Sequence, residues 1–284
     1  MTVLEVLRSS TDYFKKRKID NPRLNTEHLL AHVLGRKRIE LYLEFERDLD
    51  EPELAPLREL VRRRGEGEPL QHLLGTVEFC GLTFLCDKRA MVPRPETEEL
   101  VELLKSQIPT SNLQVNPQFQ ILDVGTGSGV IALSLAAKFP ESKILASDIS
   151  DEALALAREN AERLGLGKRV QFTRGDLLEK FTERFDLIVA NLPYISMQDR
   201  QSVSREVLHD PEAALFGGER GDELLRRLID QAPQHLQPNG LLAVEIGVGQ
   251  SEPLLEFLAQ KKYHDIESKR DYAGIPRFLF ARYG

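Results

Sequence analysis

The chain has 284 residues, with 38 Lys and Arg against 45 Asp and Glu for a net charge of −7, and 41% of its side chains are hydrophobic. That balance excludes fibrous and disordered classes and suits one large or two modest domains, since single cores stop growing at roughly 250–300 residues. Charges at Glu5 and Arg8, the lack of any apolar run near the ~20 residues of a membrane span, and only two cysteines, Cys80 and Cys86, predict a cytoplasmic chain with no signal peptide, membrane contact, disulfide framework or metal site, and an acidic total weighs against gripping phosphate backbones.

Helical patterns open the chain. Leu4, Leu7, Tyr13 and Phe14 recur at helical spacing, and Leu24, His28, Leu29 and Val33 follow between an Asn21-Pro22 start and a Gly35 stop. A third helix is predicted from about Glu53 to Arg64, so residues 1–74 read as a small helical bundle. Its Arg62-Arg63-Arg64 run reads as a solvated helix face, with a surface for an acidic partner as the alternative. His28 and His32 share a face but lack a third ligand, so they read as structural or surface residues. Around Gly81, the alternation of Phe79, Leu82, Phe84 and Leu85 predicts a β-hairpin linker within residues 75–90.

Residues 91–284 begin with a helix from Glu96 to Gln107 and a polar loop, SQIPTSNLQVNPQF, over 106–119. Strand-like runs then alternate with helical ones: QILDV, KILASD, RVQFT, FDLIVAN and GLLAVEIG enclose VIALSLAAKF, DEALALARENAERL and DELLRRLIDQAPQHL. This is the βαβ pattern of an α/β domain with a mostly parallel sheet. Runs at His264 to Arg270 and Arg277 to Arg282 read as two further strands, seven in all.

Gly125, Gly127 and Gly129 sit where the first of these strands gives way to a helix, with Thr126 and Ser128 between them. Three glycines permit a tight turn and close approach of a ligand to backbone N–H groups, although a plain tight turn needs them as well. The spacing is GxGxG: Val130 breaks a dinucleotide fingerprint, no Gly-Lys-Ser/Thr ending makes a Walker loop, and Ser128 lacks the flanks of a hydrolase elbow. Asp148, about 20 residues on, ends the second strand where a carboxylate can accept both hydroxyls of a ribose; a helix N-cap is the alternative. Asp176 follows the third strand, either to accept an adenine amino group with Leu177 against the ring, or as a solvated turn acid.

After the fourth strand comes Asn191-Leu192-Pro193-Tyr194. The Asn191 amide oxygen and the Leu192 carbonyl can together hold both hydrogens of a planar –NH₂ group, Pro193 fixes φ, and Tyr194 can stack on a flat amide or base. A proline turn with an asparagine cap is the plainer reading of the same four letters.

The GxGxG loop, the acid ending the second strand and the N-L-P-Y segment resemble class I S-adenosylmethionine-dependent methyltransferases that act on planar amino nitrogens, with their Rossmann-like fold. Adenine N6-methyltransferases and the release-factor glutamine methyltransferases of the HemK/PrmC family share that pattern. The text EPLQHLLG from Glu68 to Gly75, Glu78-Phe79, VPRPETEELV from Val92 to Val101, PEAALFGG from Pro211 to Gly218 and Glu245-Ile246-Gly247 resembles the second family in order and spacing along essentially the whole chain. One departure is Leu192, where that family usually has Pro; the proposed contact uses the residue's carbonyl, which Leu also offers.

The resemblance implies methyl transfer from S-adenosyl-L-methionine to the side-chain amide nitrogen (N5) of the Gly-Gly-Gln glutamine in class I peptide chain release factors. It implies a cofactor site of Gly125, Thr126, Gly127, Ser128, Gly129, Asp148, Asp176, Leu177 and Asn191, and catalytic and substrate contacts at Asn191, Leu192, Pro193 and Tyr194. Arg94 and Glu96 are expected to line the substrate entrance or to pin the two domains, with a salt-bridged helix start as the alternative. The N-terminal bundle is expected to dock the release factor, the chain to act as a monomer, and nucleic acid not to be bound directly. An adenine methyltransferase is the alternative, disfavoured by the acidic charge, and a non-catalytic adapter is disfavoured by the intact loop, Asp148 and Asn191.

Overall fold

The computed structural model describes residues 1–108 and 119–284, so the loop expected over 106–119 lies, from 109 to 118, outside the described residues. These residues form two units, one of Met1–Thr76 with Ser204–His209, the other of Val77–Val203 with Asp210–Gly284.

Helices α1 (Val3–Lys16), α2 (Pro22–Leu34), α3 (Glu51–Gly65) and the short α4 (Leu70–Leu74) build the first unit. Local chemistry sets their ends. Thr2 and Glu5 form a reciprocal capping box on α1, Asp50 and Glu53 do so on α3, and Pro22 starts an α2 that Gly35 ends at φ +60°. Val3, Val6, Leu7, Phe14, Leu29, Leu30, Leu54 and Leu57 make the core. The expected α2 stripe is displaced: Leu24 is exposed, whereas Asn25, Thr26 and Glu27 are buried, because α2 is covered by both α1 and α3. Burial of Glu27 is offset by hydrogen bonds from Arg23, Arg38 and Tyr42. The arginine run is not a bare solvated face: Arg62 and Arg63 pair with Glu59, Glu66 and Glu68. Arg64 is buried and donates to Asn25 Oδ1 at 2.7 Å and Glu206 Oε2 at 2.6 Å, which ties the remote Ser204–His209 segment into this unit.

The second unit, from Val77, opens with a hairpin: β1 (Thr76–Phe79) and β2 (Leu82–Leu85) pair through Cys80 and Gly81, both at positive φ, the geometry of a tight primed turn. Phe79 and Phe84 meet edge to face at 6.1 Å and are buried in the core of this unit. α5 (Pro95–Gln107) follows.

The central sheet has seven strands in the order β10-β11-β9-β6-β3-β4-β5. They are β3 (Gln120–Val124), β4 (Lys143–Asp148), β5 (Val170–Arg174), β6 (Phe185–Ala190), β9 (Leu236–Glu245), β10 (Tyr263–Arg270) and β11 (Pro276–Tyr283). Pairing is parallel from β9 to β5, whereas β11 runs antiparallel to both neighbours. Alternate residues serve opposite faces: Ile121, Leu187, Val189, Leu241 and Ala243 belong to one core, and Leu122, Ile188, Ala190, Leu242 and Val244 to the other. α5 and α6 (Val130–Lys138) cover the first face; α8 (Glu223–His235) and α9 (Ser251–Ala259) cover the second, while α7 (Asp151–Arg163) lies against β2, β4 and β5. That double covering explains the near-continuous apolar strands. α9 and a small parallel pair, β7 (Ile195–Ser196) with β8 (Phe216–Gly218), have no counterpart in the sequence-based reading. Strand order reverses between β3 and β6, so their carboxyl ends open a crevice at the switch point.

Candidate active site

The glycine loop leaves β3 with Gly125, Gly127 and Gly129 at φ +73°, +56° and +86°. The N–H groups of Gly125 and Thr126 both donate to the Ser147 carbonyl at 2.8 Å, which folds the loop across the end of β4. Asp123 anchors it from below: its Oδ2 accepts from the Thr126 hydroxyl at 2.6 Å and from the Ala132 N–H at 3.1 Å. Burial pushes that carboxyl up to about 7, against the two hydrogen bonds. Asn160 is a second buried anchor, donating to the Ser128 carbonyl at 3.0 Å while accepting from the Leu85 N–H at 2.6 Å, so α7, the hairpin and the loop are held together.

These elements wall a cavity of ≈ 320 Å³, within the usual range for small-ligand sites. Four of the five loop residues, Gly125 to Ser128, line it, and Gly129 stands behind, against Leu133 and Ala157. Asp148, Asp176, Leu177, Asn191, Leu192 and Pro193 also line it. Asp148 accepts from the Gly127 N–H and the Ser150 N–H, each at 2.9 Å, and burial raises its carboxyl pKa despite those bonds. Ser150 itself caps α7, so Asp148 is not the helix cap. Asp176 is ion-paired with Arg227 at 2.8 Å rather than solvated and alone. Leu177 adopts φ +49°, an uncommon conformation for a branched residue, and is buried in the wall.

Asn191 and Leu192 follow β6. Leu192 is 4% exposed, and its side chain lies over Gly125: a Cβ there would stand 2.8 Å from Leu192 Cδ2. The next turn is held from outside. Ile195 N–H donates to the Leu215 carbonyl, Gln250 Nε2 donates to the Tyr194 carbonyl at 2.9 Å, and Gly217 passes so close that a Cβ would stand 2.2 Å from the Pro193 oxygen. The PEAALFGG text thus has a physical reason: a strand without a side chain at Gly217 fits against the 193–194 backbone.

Tyr194 does not line the cavity. Its hydroxyl donates to Glu245 Oε1 at 3.3 Å, and burial beside that carboxyl raises its pKa. Glu245 Oε2 accepts from the Thr97 hydroxyl at 2.7 Å, and Thr97 Oγ1 accepts from Asn191 Nδ2 at 2.9 Å. Burial pushes Glu245 up to about 7, opposed by Thr97, Arg277 and Tyr194. Neither Arg94 nor Glu96 lines the cavity. Arg94 donates to Asp210 Oδ2 at 2.7 Å; Asp210 is fully buried and also accepts from the Val92 N–H, joining the 92–94 and 210–214 segments. Glu96 is half-buried on the first turn of α5. Thr97, Glu245 and Asp210 are missing from the sequence-derived site, and Asn160 and Asp123 carried no signal there beyond their positions beside the loop. Thr97 and Glu245 stand inside the motif text, but their meeting depends on which strands are neighbours.

Residues 5–75 match the family described as PrmC N-terminal domain, and residues 104–220 match the methyltransferase small domain. A release factor glutamine methyltransferase of Geobacter sulfurreducens is 40% identical, covering 100% of this chain and 97% of that protein. The chain belongs to the release factor glutamine methyltransferase family. The corresponding protein of Rhodopirellula baltica is 39% identical over 98% of this chain and 95% of its own length. Among solved structures, a ribosomal protein L11 methylase of Lactobacillus delbrueckii subsp. bulgaricus shares 26% identity with a TM-score of 0.50, covering 70% of this chain and 82% of that one. The class I methyltransferase fold and the helical N-terminal part are therefore both family features, and the likeness extends through both units. Among the described residues, no helix is long and apolar enough to cross a membrane.

Proposed function

We propose that this protein transfers a methyl group from S-adenosyl-L-methionine to the side-chain amide nitrogen of the glutamine in the Gly-Gly-Gln motif of class I peptide chain release factors. The observation that carries the reading is Asn191 in the wall of the glycine-loop cavity, in a chain 40% identical over its full length to a release factor glutamine methyltransferase.

The residues fit the cosubstrate. Asp148 offers a carboxylate at the end of β4 for ribose hydroxyls, Leu177 offers an apolar wall to the flat base, with Asp176 beside its amino edge, and the open loop from Gly125 to Ser128 leaves room for the methionyl end. When bound, S-adenosylmethionine supplies an electrophilic methyl group on a sulfonium sulfur. A neutral amide nitrogen is a weak nucleophile, so this chain must act mostly by placement, which is worth roughly 7–11 kcal/mol in favourable cases. Asn191 Oδ1 and the Leu192 carbonyl accept the two amide hydrogens and favour positive charge developing on the nitrogen. Pro193 holds the turn, Tyr194 braces it through Glu245, and the proton released after transfer passes to solvent. The Arg94–Asp210 pair acts as a clamp on the cavity rim in this reading, and Glu96 flanks the Thr97 turn.

Residues 1–74 are assigned to docking the release factor, supported by the exposed apolar side chains of Ile39 and Leu43 in the first unit, 70% and 86% exposed. The chain is taken to act as a monomer in the cytoplasm, without direct nucleic acid binding. Incubation with labelled S-adenosylmethionine and unmethylated release factor, its Gly-Gly-Gln Gln→Ala variant, or adenine-containing nucleic acid tests the assignment. Label on the release factor alone, lost in the variant, is the expected result; label on nucleic acid alone refutes it.

A further inference from the structure

We infer that Glu245 and Thr97 are positioning residues that dictate which end of the Asn191 amide faces the substrate, an inference that deepens the function proposed above and rests on it. A hydroxyl has one hydrogen to give. Thr97 gives its hydrogen to Glu245 Oε2 at 2.7 Å, so toward Asn191 it can only accept, and it takes the Nδ2–H at 2.9 Å. The amide is thereby turned with Nδ2 inward and Oδ1 outward, the orientation needed to accept a hydrogen from a substrate –NH₂. A flipped amide would present a donor to a donor.

The relay is built from three separate parts of the chain. Thr97 sits on the first turn of α5, Asn191 follows β6 and Glu245 ends β9; Ala190 pairs with Val244, so Asn191 and Glu245 leave the sheet side by side. Thr97 and Glu245 are 2% and 1% exposed, and a buried carboxylate is costly unless its hydrogen bonds serve it. Around Glu245 stand Thr97 and Glu96 from α5, Tyr194 from the loop after β6 and Arg277 from β11. Loss of the Glu245 charge removes the direction of the relay: a protonated carboxyl can donate to Thr97, whose hydrogen is then free to turn toward Asn191 Oδ1.

The test uses the full chain with Thr97→Val, Thr97→Ser and Glu245→Gln, reading kcat and KM for release factor against pH, affinity for S-adenosylmethionine by calorimetry, and the Asn191 side-chain amide resonances by NMR. Thr97→Val should lower kcat by about 10- to 100-fold with KM and cofactor affinity held within about twofold. Thr97→Ser should restore most of the rate. Wild-type kcat should rise with pH along a limb that Glu245→Gln abolishes, and the Asn191 amide resonances should follow the same limb. Wild-type kcat in Thr97→Val, no recovery in Thr97→Ser, or a limb that persists in Glu245→Gln overturns the inference. If the wild type labels nucleic acid rather than release factor, the function reading fails. The Asn191 resonances then decide the relay alone: movement with pH that Glu245→Gln removes supports it, and insensitivity in the wild type overturns it.

Discussion

Replacing Asn191 with Asp changes one group and should disable methyl transfer while sparing the fold. Asn191 Nδ2 lies 2.9 Å from Thr97 Oγ1, whose own hydrogen is held by Glu245 at 2.7 Å. In Asn191→Asp a carboxylate oxygen occupies the Nδ2 position, so two acceptors face each other with no hydrogen between them. The new charge also stands roughly 5 Å from that of Glu245, a repulsion of ~3 kcal/mol at an effective dielectric of ~20. Relief comes from movement of the 191–194 turn, which displaces the acceptor pair offered to the substrate. A loss of about 2–4 kcal/mol of transition-state stabilisation corresponds to a fall in kcat on the order of 30- to 1,000-fold. Single-turnover methylation of release factor, with cofactor affinity measured in parallel by calorimetry, reads the effect. Adding Glu245→Gln should recover part of the rate by removing the repulsion. Turnover within about threefold of wild type, at unchanged cofactor affinity, would refute the role given to Asn191.

Three other perturbations address separate parts of the site. Gly217→Ala places a Cβ 2.2 Å from the Pro193 oxygen and 2.4 Å from the Gly221 oxygen, so the 193–194 backbone must move; kcat should fall at least about tenfold while calorimetry finds cofactor affinity little changed. Asp210→Ala strands Arg94 and the Val92 N–H, and thermal melts should show a loss of about 3–5 kcal/mol; a variant as stable as wild type would contradict the clamp. Asp123 has a folded pKa of about 7 against an ordinary 3.8, so folding favours its protonated form. Its contribution is greatest below about pH 4 and is lost as pH rises toward about 7, so Asp123→Asn should gain in melting temperature relative to wild type across that window; a constant difference would dismiss the linkage.

The strands were legible because a sheet covered on both faces needs nearly every residue apolar, and β3, β4 and β6 are such runs bounded by polar turns. The ends of α2 were legible for the same kind of local reason, with Pro22 opening it and Gly35 closing it. The face that α2 buries is less legible: its apolar pattern starts at Leu24, yet the helix buries Asn25, Thr26 and Glu27, since two neighbours cover it and Arg23, Arg38 and Tyr42 satisfy the polar atoms. Arg64 shows the limit of reading charge runs, being buried where its two predecessors are on the surface.

For the site, the residues close in sequence spoke for themselves: GxGxG needs positive φ at three places, Asp148 ends β4 and Asn191 directly follows β6, and the carboxyl ends of these parallel strands face one crevice. Composition, periodicity and these local motifs therefore determined the fold class, the crevice and the groups along it. The direction in which the Asn191 amide points was decided elsewhere. It depends on Thr97 and Glu245, 94 residues before Asn191 in one case and 148 residues from each other, meeting only because β6 and β9 are neighbours and α5 crosses above them. Hydrogen bonds act over about 3 Å, and no spacing along the chain encodes which distant strand ends will come within that reach.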